Sequence, residues 1–495
     1  MMYREEKSDS LIVAAKLANN PQGAESVERR SGAKGNAEQP HMRRTQSRES
    51  MSQRLSRVRE AAKQRKKERF TALFHLLTAE ALENAFLSLS RKAAAGVDGV
   101  RWKDYAENLK VNIADLHRRL HQGSYRAQPG RRHYIPKADG KQRPLGIASL
   151  EDKIVQYALV KILNAVYENN FMGFSYGFRP GRSQHNALDA LVTGLVRSNV
   201  NWVLDADISQ FFDKVSHEWL IRFIEHRIGD QRVIRLIRKW LTAGTSEEGE
   251  WRASEEGTPQ GAVISPLLAN IYLHYVFDLW AHQWRRRHAT GNVVMVRYAD
   301  DIVIGFDKRI DAQCFRIAMQ RRLKEFGLTV HPKKTRLMEF GRFAAENRAS
   351  RGKGKPETFN FLGFTHISGK DRSGRFMLIR KTRRDRMTAT LKAIKDGLRK
   401  RWHYSIPEQG KWLRRVVQGY LNYHSVPGNY PMMRKFRIYV TDLWRRALRR
   451  RSQQDDTTWT KANRLAAVWL PKVRVLHPWP VERFTARHPR QEPGA

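Results

Sequence analysis

The sequence predicts an α+β protein of several domains, on three grounds. Its 495 residues exceed the length of about 250–300 residues at which a single hydrophobic core stops growing. Its hydrophobic fraction of 41%, with 13 Trp, supplies enough apolar surface for more than one core and excludes wholesale disorder. The clearest strand patterns lie between residues 202 and 306, whereas helical periodicity dominates after residue 375.

The N-terminal segment, residues 1–70, is predicted to be a basic and partly flexible extension. Residues 1–50 are rich in Ser, Asn, Gly, Gln and charge and lack lasting periodicity. In residues 54–69 Lys and Arg surround small and apolar side chains at helical spacing, which predicts a basic helix. Such a helix either contacts phosphates or presents a solvated face, and the charge of the whole chain favours phosphate contact.

The next segment, residues 71–200, is predicted to alternate helices with loops. Helical patterns occur near residues 70–90 and 151–168, and Gly and Pro residues interrupt the sequence between them. These features are typical of a globular domain whose short elements are joined by tight turns.

The central segment, residues 201–370, is expected to contain a sheet. Residues 202–208 form a strand pattern, and a second apolar stretch runs from residue 293 to residue 306. Polar residues interrupt that stretch at positions 299–301, which predicts a hairpin that turns there.

The C-terminal quarter is predicted to be helical over residues 371–450, followed by a basic extension over residues 451–495. Apolar residues recur at helical spacing over residues 413–421 and again over residues 436–448, which predicts two packed helices. Residues 371–495 contain 30 Lys and Arg against 9 Asp and Glu. Because this surplus exceeds what helix ends require, a nucleic-acid-binding face is favoured.

Charge and cysteine content restrict the partners and the compartment. The formal net charge is +43 and the pI is about 10.7, so nucleic acid is the expected partner; the alternative is a merely basic surface. Cys314 is the one cysteine of the sequence, which excludes internal disulfides and multi-cysteine zinc sites. We therefore expect a reducing, cytoplasmic setting, and with no apolar run of 18 residues we expect no membrane partner.

Four aspartates in apolar surroundings require an explanation, because an ionised carboxylate there is costly without a cation or hydrogen bonds. Asp205 and Asp207 share one face of the first strand, and Asp300 and Asp301 are adjacent at the hairpin turn. Carboxylates held that close need a metal, and two Mg²⁺ ions at such a site suit nucleotidyl transfer. For the pair at the turn alone, the alternative is an ordinary polar turn.

Nine short motifs follow one another along the chain: AAGVDGV at 94–100, YIPK at 134–137, RPLGI at 143–147, SYGFRPGRS at 175–183, DISQFF at 207–212, GTPQGAVISPLLAN at 257–270, YADD at 298–301, KT at 334–335 and FLGF at 361–364. In this order they resemble the motifs of reverse transcriptases, and more closely those of group II intron-encoded proteins, which join a reverse transcriptase to an RNA maturase. The resemblance implies a right-hand polymerase: fingers at 71–200, a palm at 201–370, and a thumb joined to a basic helical maturase region thereafter.

The resemblance also implies roles for individual residues. Asp207, Asp300 and Asp301 correspond to the catalytic ligands of two Mg²⁺ ions, which leaves Asp205 as a structural neighbour. Lys137 and Arg143 resemble the residues that clamp the triphosphate of an incoming dNTP, for which Arg offers a fork and Lys a point charge. The alternative for both is solvated loop charge.

Three further residues resemble parts of the dNTP pocket. Phe212 matches the aromatic residue that excludes a ribose 2′-hydroxyl, although it could equally be a core residue beside Phe211. Gln260 matches the residue beneath the nucleotide, with an ordinary loop amide as the alternative. Lys334 matches the lysine near the leaving phosphates, with Lys333 as an alternative register. Asp213 is interpreted as a helix cap without a chemical role.

The implied partners are a group II intron RNA, an RNA template with its DNA primer, a target DNA and dNTPs. The C-terminal helices would grip intron RNA through shape and charge. Many relatives carry an HNH endonuclease with cysteine-pair metal sites, for which this sequence has neither the cysteines nor the length; second-strand cleavage is not expected, and priming is expected from a nascent strand or from an end made by another enzyme.

Two other functions fit the same motifs. One is a non-enzymatic splicing factor with a vestigial palm, against which the presence of all three aspartates argues. The other is a reverse transcriptase of a retron, diversity-generating or defence system that has no intron partner.

Overall fold

The computed structural model describes residues 40–136, 142–247, 249–371, 373–451 and 457–487, with side chains over residues 51–485. The helices are α1 (Pro40–Gln64), α2 (Ala79–Ser88), α3 (Trp102–Glu107), α4 (Leu109–Gln122), α5 (Leu150–Tyr167), α6 (Gln184–Arg197), α7 (His217–Glu225), α8 (Gln231–Thr242), α9 (Ser265–Leu273), α10 (Leu279–Arg287), α11 (Arg309–Glu325), α12 (Ala344–Ala349), α13 (Arg384–Arg399), α14 (Ile406–His424), α15 (Tyr430–Arg449), α16 (Trp459–Trp469) and α17 (Pro480–Arg487). The strands are β1 (Gly130–Pro136), β2 (Gln142–Ile147), β3 (Trp202–Asp207), β4 (Thr245–Glu247), β5 (Glu250–Arg252), β6 (Val293–Tyr298), β7 (Asp301–Phe306), β8 (Arg336–Glu339), β9 (Phe359–Phe361), β10 (Phe364–Lys370) and β11 (Phe376–Thr382). The predicted α+β class is confirmed.

The central sheet is antiparallel, with strand order β6-β7-β3-β8. Strand β6 and most of β7 are buried on both faces, which explains their nearly continuous apolar sequence. The predicted hairpin joins them at residues 299–300. The register of β3 with β7 places Asp207 directly opposite Asp301, so the two carboxylates lie at the same end of the sheet.

Two smaller sheets flank this part of the molecule. One has the order β2-β1-β4-β5 and contains the β1–β2 hairpin, whose strands are largely exposed. The other has the order β11-β10-β9. Strand β11 occupies Phe376–Thr382, so the expectation that helices take over directly after residue 375 is wrong; the helical region begins at Arg384.

Two hydrophobic cores hold the described residues together. The larger one is continuous through α2 to α11 and the central sheet. The smaller one lies among α13, α14, α15 and α16 and includes Leu413, Phe436 and Trp444. The two C-terminal helices predicted from periodicity are therefore confirmed as α14 and α15, with their apolar stripes facing this second core.

The basic helix predicted over residues 54–69 is present as part of α1, which ends at Gln64. Met51, Leu55 and Val58 pack against the larger core. Beyond the helix end, the buried guanidinium of Arg227 donates hydrogen bonds to main-chain carbonyls, among them those of Arg65 at 2.9 Å and Glu68 at 2.8 Å. The helix is thereby anchored on one side, which leaves its cationic side chains on the other.

The C-terminal segment returns to the first half of the chain. Helix α17 packs on α6, and Phe484 joins the larger core. The Arg483 guanidinium forms a two-pronged ion pair with the buried carboxylate of Asp189, with Nη2 at 2.7 Å from Oδ1. Residues 457–487 therefore contact both cores and connect the smaller one to the larger one. Over all described residues, no helix is both long enough and apolar enough to cross a membrane.

Candidate active site

Asp207 and Asp301 meet because of strand pairing. Asp207 ends β3 and Asp301 begins β7, and the two are partners across the antiparallel ladder. Directly opposite residues carry their side chains on the same face, with Cβ atoms about 4.5–5.5 Å apart. Asp205 lies two residues earlier in β3 and therefore on that face too. The predicted facing of Asp205 and Asp207 is confirmed.

Gly177 and Arg297 hold the turn that carries Asp300 in a tight conformation. Ala299 has a left-handed backbone, with φ of 58°. Gly177 approaches this turn so closely that a Cβ atom at Gly177 would lie within clashing distance of the Ala299 nitrogen. The Arg297 side chain also donates from Nη1 to the Ala299 carbonyl at 3.0 Å. These contacts fix the turn, where Asp300 lies near enough to Asp207 for the two carboxylates to interact.

A buried polar network supports that turn. The Arg297 guanidinium, which is fully buried, forms an ion pair with Asp278 at 2.6 Å and donates to the Ser175 hydroxyl at 2.7 Å. Asn270 accepts a hydrogen bond from Arg297 and donates one to the Gly177 carbonyl at 2.7 Å. Removing one partner of such a buried pair costs about 3–5 kcal/mol. The network therefore joins the SYGFRPGRS, YADD and GTPQGAVISPLLAN motifs physically.

Burial and mutual repulsion make Asp205, Asp300 and Asp301 harder to ionise than free aspartates. The Asp301 side chain reaches solvent on one side, yet the surrounding protein, and then Asp300 and Asp207, raise its pKa to about 7. Burial also raises the pKa of Asp205 to about 6 and that of Asp300. Ionised together, these groups repel one another, and a nearby cation relieves the repulsion.

Cationic side chains lie beside the carboxylates. The Lys334 Nζ atom is 3.0 Å from Oδ2 of Asp207, so the structure brings Lys334 into the site. Burial raises the pKa of Asp300, and Arg143, on β2, is near enough to offset part of that rise. The other predicted triphosphate ligand, Lys137, lies outside the described residues.

Phe212 and Gln260 also lie together. The Thr258 amide donates to the Phe212 carbonyl at 2.7 Å, and the Gln260 carbonyl accepts from the Gly146 amide at 2.7 Å. Phe211 is buried in the core, whereas Phe212 is only partly buried, with the two rings packed edge to face at 5.3 Å. Of these two phenylalanines, Phe211 is therefore the core residue.

Asp213 is not a helix cap, and that interpretation is wrong. Helix α7 is capped by Ser216, whose hydroxyl accepts from the Trp219 amide. Asp213 instead accepts a hydrogen bond from Nε2 of Gln260 at 2.7 Å. Sequence reasoning missed this contact, and it also missed Arg297, for which a charged residue inside the apolar strand β6 was an available signal.

The carboxylates fit Mg²⁺ in donor type, since Mg²⁺ prefers hard oxygen ligands and usually keeps several waters or phosphate oxygens. Within the described residues no three His, Cys, Asp or Glu side chains are already arranged around a common ion position. Lys334 compensates part of the charge at Asp207. This contact occupies one of the two carboxylate oxygens of Asp207, Oδ2.

Comparisons with known proteins agree with this geometry. Residues 135–366 match the family model described as reverse transcriptase (RNA-dependent DNA polymerase), and that segment contains the carboxylates, Arg143, Phe212, Gln260 and Lys334. The family depends on divalent metal ions. The matched family implies a polymerase with palm and fingers.

Three curated relatives illustrate the similarity. Protein YkfC of Escherichia coli K12 is 42% identical over 206 residues, covering 41% of this chain and 54% of that protein. Group II intron-encoded protein LtrA of Lactococcus lactis is 37% identical over 223 residues, covering 44% and 37%. Nuclear intron maturase 2, mitochondrial, of Arabidopsis thaliana is 29% identical over 110 residues, covering 21% and 15%.

These matches span about half or less of each relative's own length. Residues 135–366 therefore match the reverse transcriptase family, and the similarity of the chain to intron-encoded and maturase proteins confirms the resemblance that its motifs predict.

Proposed function

We propose that the chain is the RNA-directed DNA polymerase of a group II intron and also acts as a maturase that binds the intron RNA and assists splicing and retrohoming. The observation that carries the proposal is the register of β3 with β7, which places Asp207 opposite Asp301 beside the tight turn at Asp300. This arrangement lies inside the segment that matches the reverse transcriptase family. Its partners would be intron RNA, an RNA template with a DNA primer, target DNA and dNTPs.

In the proposed reaction the primer 3′-hydroxyl attacks the α-phosphate of a deoxynucleotide and pyrophosphate leaves. Asp207, Asp300 and Asp301 would hold two Mg²⁺ ions. When bound, these ions supply activation of the hydroxyl and stabilisation of the developing charge. Arg143 would contribute a forked set of donors to the triphosphate. Lys334, once released from Asp207, would neutralise the departing phosphates.

Two pocket residues would determine which nucleotide is accepted. Phe212, partly buried and anchored through its carbonyl, would exclude a ribose 2′-hydroxyl. Gln260 would lie beneath the nucleotide, with its amide held by Asp213. Lys137 is proposed as the second triphosphate ligand on the strength of its motif.

The domain roles follow the same proposal. We assign residues 71–200 to the fingers, 201–370 to the palm, 371–450 to the thumb and maturase region, and the flanking segments 1–70 and 451–495 to basic extensions. The smaller helical core among α13 to α16 would form the thumb. Its excess of Lys and Arg suits RNA binding by charge.

Primer extension on an RNA template tests the catalytic part of the proposal. Replacing Asp300 and Asp301 together by Ala should abolish extension, and EDTA should abolish extension by the unchanged protein. Glu218→Ala, which removes an exposed carboxylate from α7, is the matched control and should extend normally. Extension by the double variant at the normal rate would contradict the proposed site.

RNA binding and splicing test the maturase part. Because the C-terminal helices pack around a core of their own, the double variant should still bind intron RNA and support splicing. Simultaneous loss of extension and splicing, with folding intact by circular dichroism, would contradict a division into two functions.

A further inference from the structure

A buried amide of helix α5 contacts the loop that carries Gln260. Gln156 lies within α5, and only 2% of its surface is exposed. Its Oε1 atom accepts hydrogen bonds from two successive main-chain amides, those of Val263 at 2.9 Å and Ile264 at 3.4 Å. Because two N–H donors require an oxygen opposite them, the orientation of the Gln156 amide is determined. The side chain therefore holds main chain that lies 107 positions away in the sequence.

The same contact caps helix α9 from outside the helix. Ile264 occupies the N-cap position of α9, and its side chain supplies no capping hydrogen bond. The first main-chain amides of a helix lack partners within the helix, and leaving such a group buried and unpaired is costly. The Gln156 oxygen supplies the acceptor that Ile264 cannot supply. It therefore fixes the point at which the loop ends and α9 begins.

The rest of the loop is attached by main-chain hydrogen bonds. Before Gln260, the Thr258 amide donates to the Phe212 carbonyl at 2.7 Å. At Gln260 itself, the carbonyl accepts from the Gly146 amide of β2 at 2.7 Å. The contacts of Gln156 hold the part of the loop that follows Gln260. Loss of the Gln156 acceptor should therefore release that part while the Thr258 end stays attached.

The loop lies directly against β2, the strand that carries Arg143. Gly261 has a left-handed backbone, with φ of 107°, and an added Cβ there would lie 3.1 Å from the Gly146 carbonyl oxygen. With so little space on this side, a released loop moves away from β2. Such a movement would change the distance between Gln260 and Arg143, which lie on either side of the proposed nucleotide position.

We propose that Gln156 is a positioning residue for the incoming nucleotide. It holds the main chain of residues 257–264 so that Gln260 lies beneath the nucleotide while Arg143 binds the triphosphate. Gln156 acts through Gln260, and Asp213 holds the Gln260 side chain separately. The inference rests on the proposed polymerase function. Because this loop would support the bound nucleotide and carries none of the carboxylates, its displacement should weaken nucleotide binding more than it slows the chemical step.

Steady-state primer extension with varied dNTP concentration tests the proposal. Gln156→Met keeps the length of the side chain and removes the acceptor. It should raise KM for dNTPs about tenfold and change kcat by less than about twofold. Gln156→Glu keeps an oxygen at the same position and should have a KM close to that of the unchanged protein. An unchanged KM in the Met variant, or an equal rise in both variants, would show that the acceptor does not position the nucleotide.

A double variant separates positioning from general weakening of the fold. In a protein that already carries Gln260→Ala, Gln156→Met should raise KM by less than about twofold, because residues that act through one contact have effects that do not add. A further rise as large as in the unchanged background would mean that Gln156 does not act through Gln260, and the proposal would be wrong.

Asp311→Leu is the matched control. The buried Asp311 carboxylate also accepts from two successive main-chain amides, those of Thr290 and Gly291, each at 2.9 Å. These amides precede β6, whereas Asp300 follows the other end of that strand. The control should lower the temperature of unfolding and leave KM unchanged. An equal rise of KM in the control would attribute the effect of Gln156→Met to lost stability and overturn the proposal.

Hydrogen–deuterium exchange tests the contact without requiring activity. The amides of Val263 and Ile264 should exchange faster in Gln156→Met than in the unchanged protein, and Gln156→Glu should restore their protection. Unchanged exchange in the Met variant would contradict the positioning role even if KM rises. Absence of extension by the unchanged protein would contradict the polymerase function, whereas the exchange rates would still decide whether Gln156 holds the loop.

Discussion

Asp213 shows how one side chain can determine the orientation of another. A carboxylate only accepts hydrogen bonds, so the Gln260 amide must present its Nε2 group to Asp213. The Gln260 Oε1 atom is thereby turned away from Asp213. In the proposed pocket this contact selects which end of the amide the nucleotide meets.

We predict that Asp213→Ala raises KM for dNTPs about five- to tenfold, the loss of about 1 kcal/mol expected for one exposed hydrogen bond, with a smaller effect on kcat. Asp213→Asn should stay close to the unchanged protein, because the Asn side-chain oxygen still accepts from Gln260. Steady-state primer extension with varied dNTP concentration measures both values. Equal effects of the two variants would show that the charge of Asp213, and not its contact with Gln260, is what matters.

At the residue scale, prediction from sequence succeeded where spacing alone determines position. The two-residue period of a strand places Asp205 and Asp207 on one face, and the structure confirms it. The partner of Asp213 lies 47 positions away, and no local pattern encodes that contact. It arises because tertiary packing brings the loop at residues 257–260 against the turn after β3.

The β6–β7 hairpin shows how an element is held in place by others. Its turn bends at Ala299, and Gly177 lies directly behind it. Asn270, on α9, holds the Gly177 carbonyl. The position of the two adjacent aspartates therefore depends on chain segments that carry no catalytic group.

We predict that Gly177→Ala lowers the rate of primer extension at least tenfold, because the new Cβ displaces the turn that carries Asp300 and Asp301. Overpacking of this kind costs about 1–3 kcal/mol of stability, so the folded fraction is measured in parallel by thermal unfolding. Gly419→Ala is the control: Gly419 lies within α14 with open space around it. That change should stabilise the protein by about 0.5–1 kcal/mol and leave extension unchanged.

At the element scale, strands with apolar or alternating sequences were predictable and exposed ones were not. The strands β3, β6 and β7 are confirmed. The hairpin β1–β2 carries charged and exposed residues such as Arg131 and Arg143, and its strand structure comes from pairing with its neighbours. Strand β11 was missed because the basic residues around it resemble those of the helices that follow.

A buried histidine makes the stability of the whole molecule sensitive to acid. His366 is fully buried and stacks on Phe359, with ring centroids 4.8 Å apart. Burial, with Arg380 adding to it, lowers the pKa of His366 to about 3. Below pH 6.5 the unfolded chain binds a proton at this histidine and the folded chain does not. Folding stability therefore falls as the pH decreases from 6.5 towards 3.

We predict that His366→Phe flattens the pH dependence of the free energy of unfolding between pH 6.5 and pH 4. The change should approach about 1.4 kcal/mol per pH unit, and denaturant unfolding at several pH values measures it. The slope of the unfolding free energy against pH must be compared between the variant and the unchanged protein. Asp205 and Asp301, whose pKa values are raised, contribute a slope of opposite sign in both. His403→Phe, at an exposed position, should leave the slope as it is.

At the scale of the whole molecule, composition predicted several cores and a helical C-terminal region, and the structure has both. The return of α17 to α6 was not predicted. Nothing in the local pattern of residues 480–487 distinguishes a packed helix from a solvated basic tail. Its position is determined by the ion pair with Asp189 and by the fit of Phe484 into the larger core.

The ion pair between Arg483 and Asp189 also has a consequence for folding during synthesis. These residues are 294 positions apart, so a ribosome must synthesise nearly the whole described chain before α6 meets its partner helix. Until then the Asp189 carboxylate lacks the Arg483 guanidinium, and the apolar surface of α6 that α17 covers stays exposed. Contacts this distant form slowly, and incomplete chains that expose them tend to aggregate. Translation halted shortly before residue 480 should therefore release a product that chaperones retain.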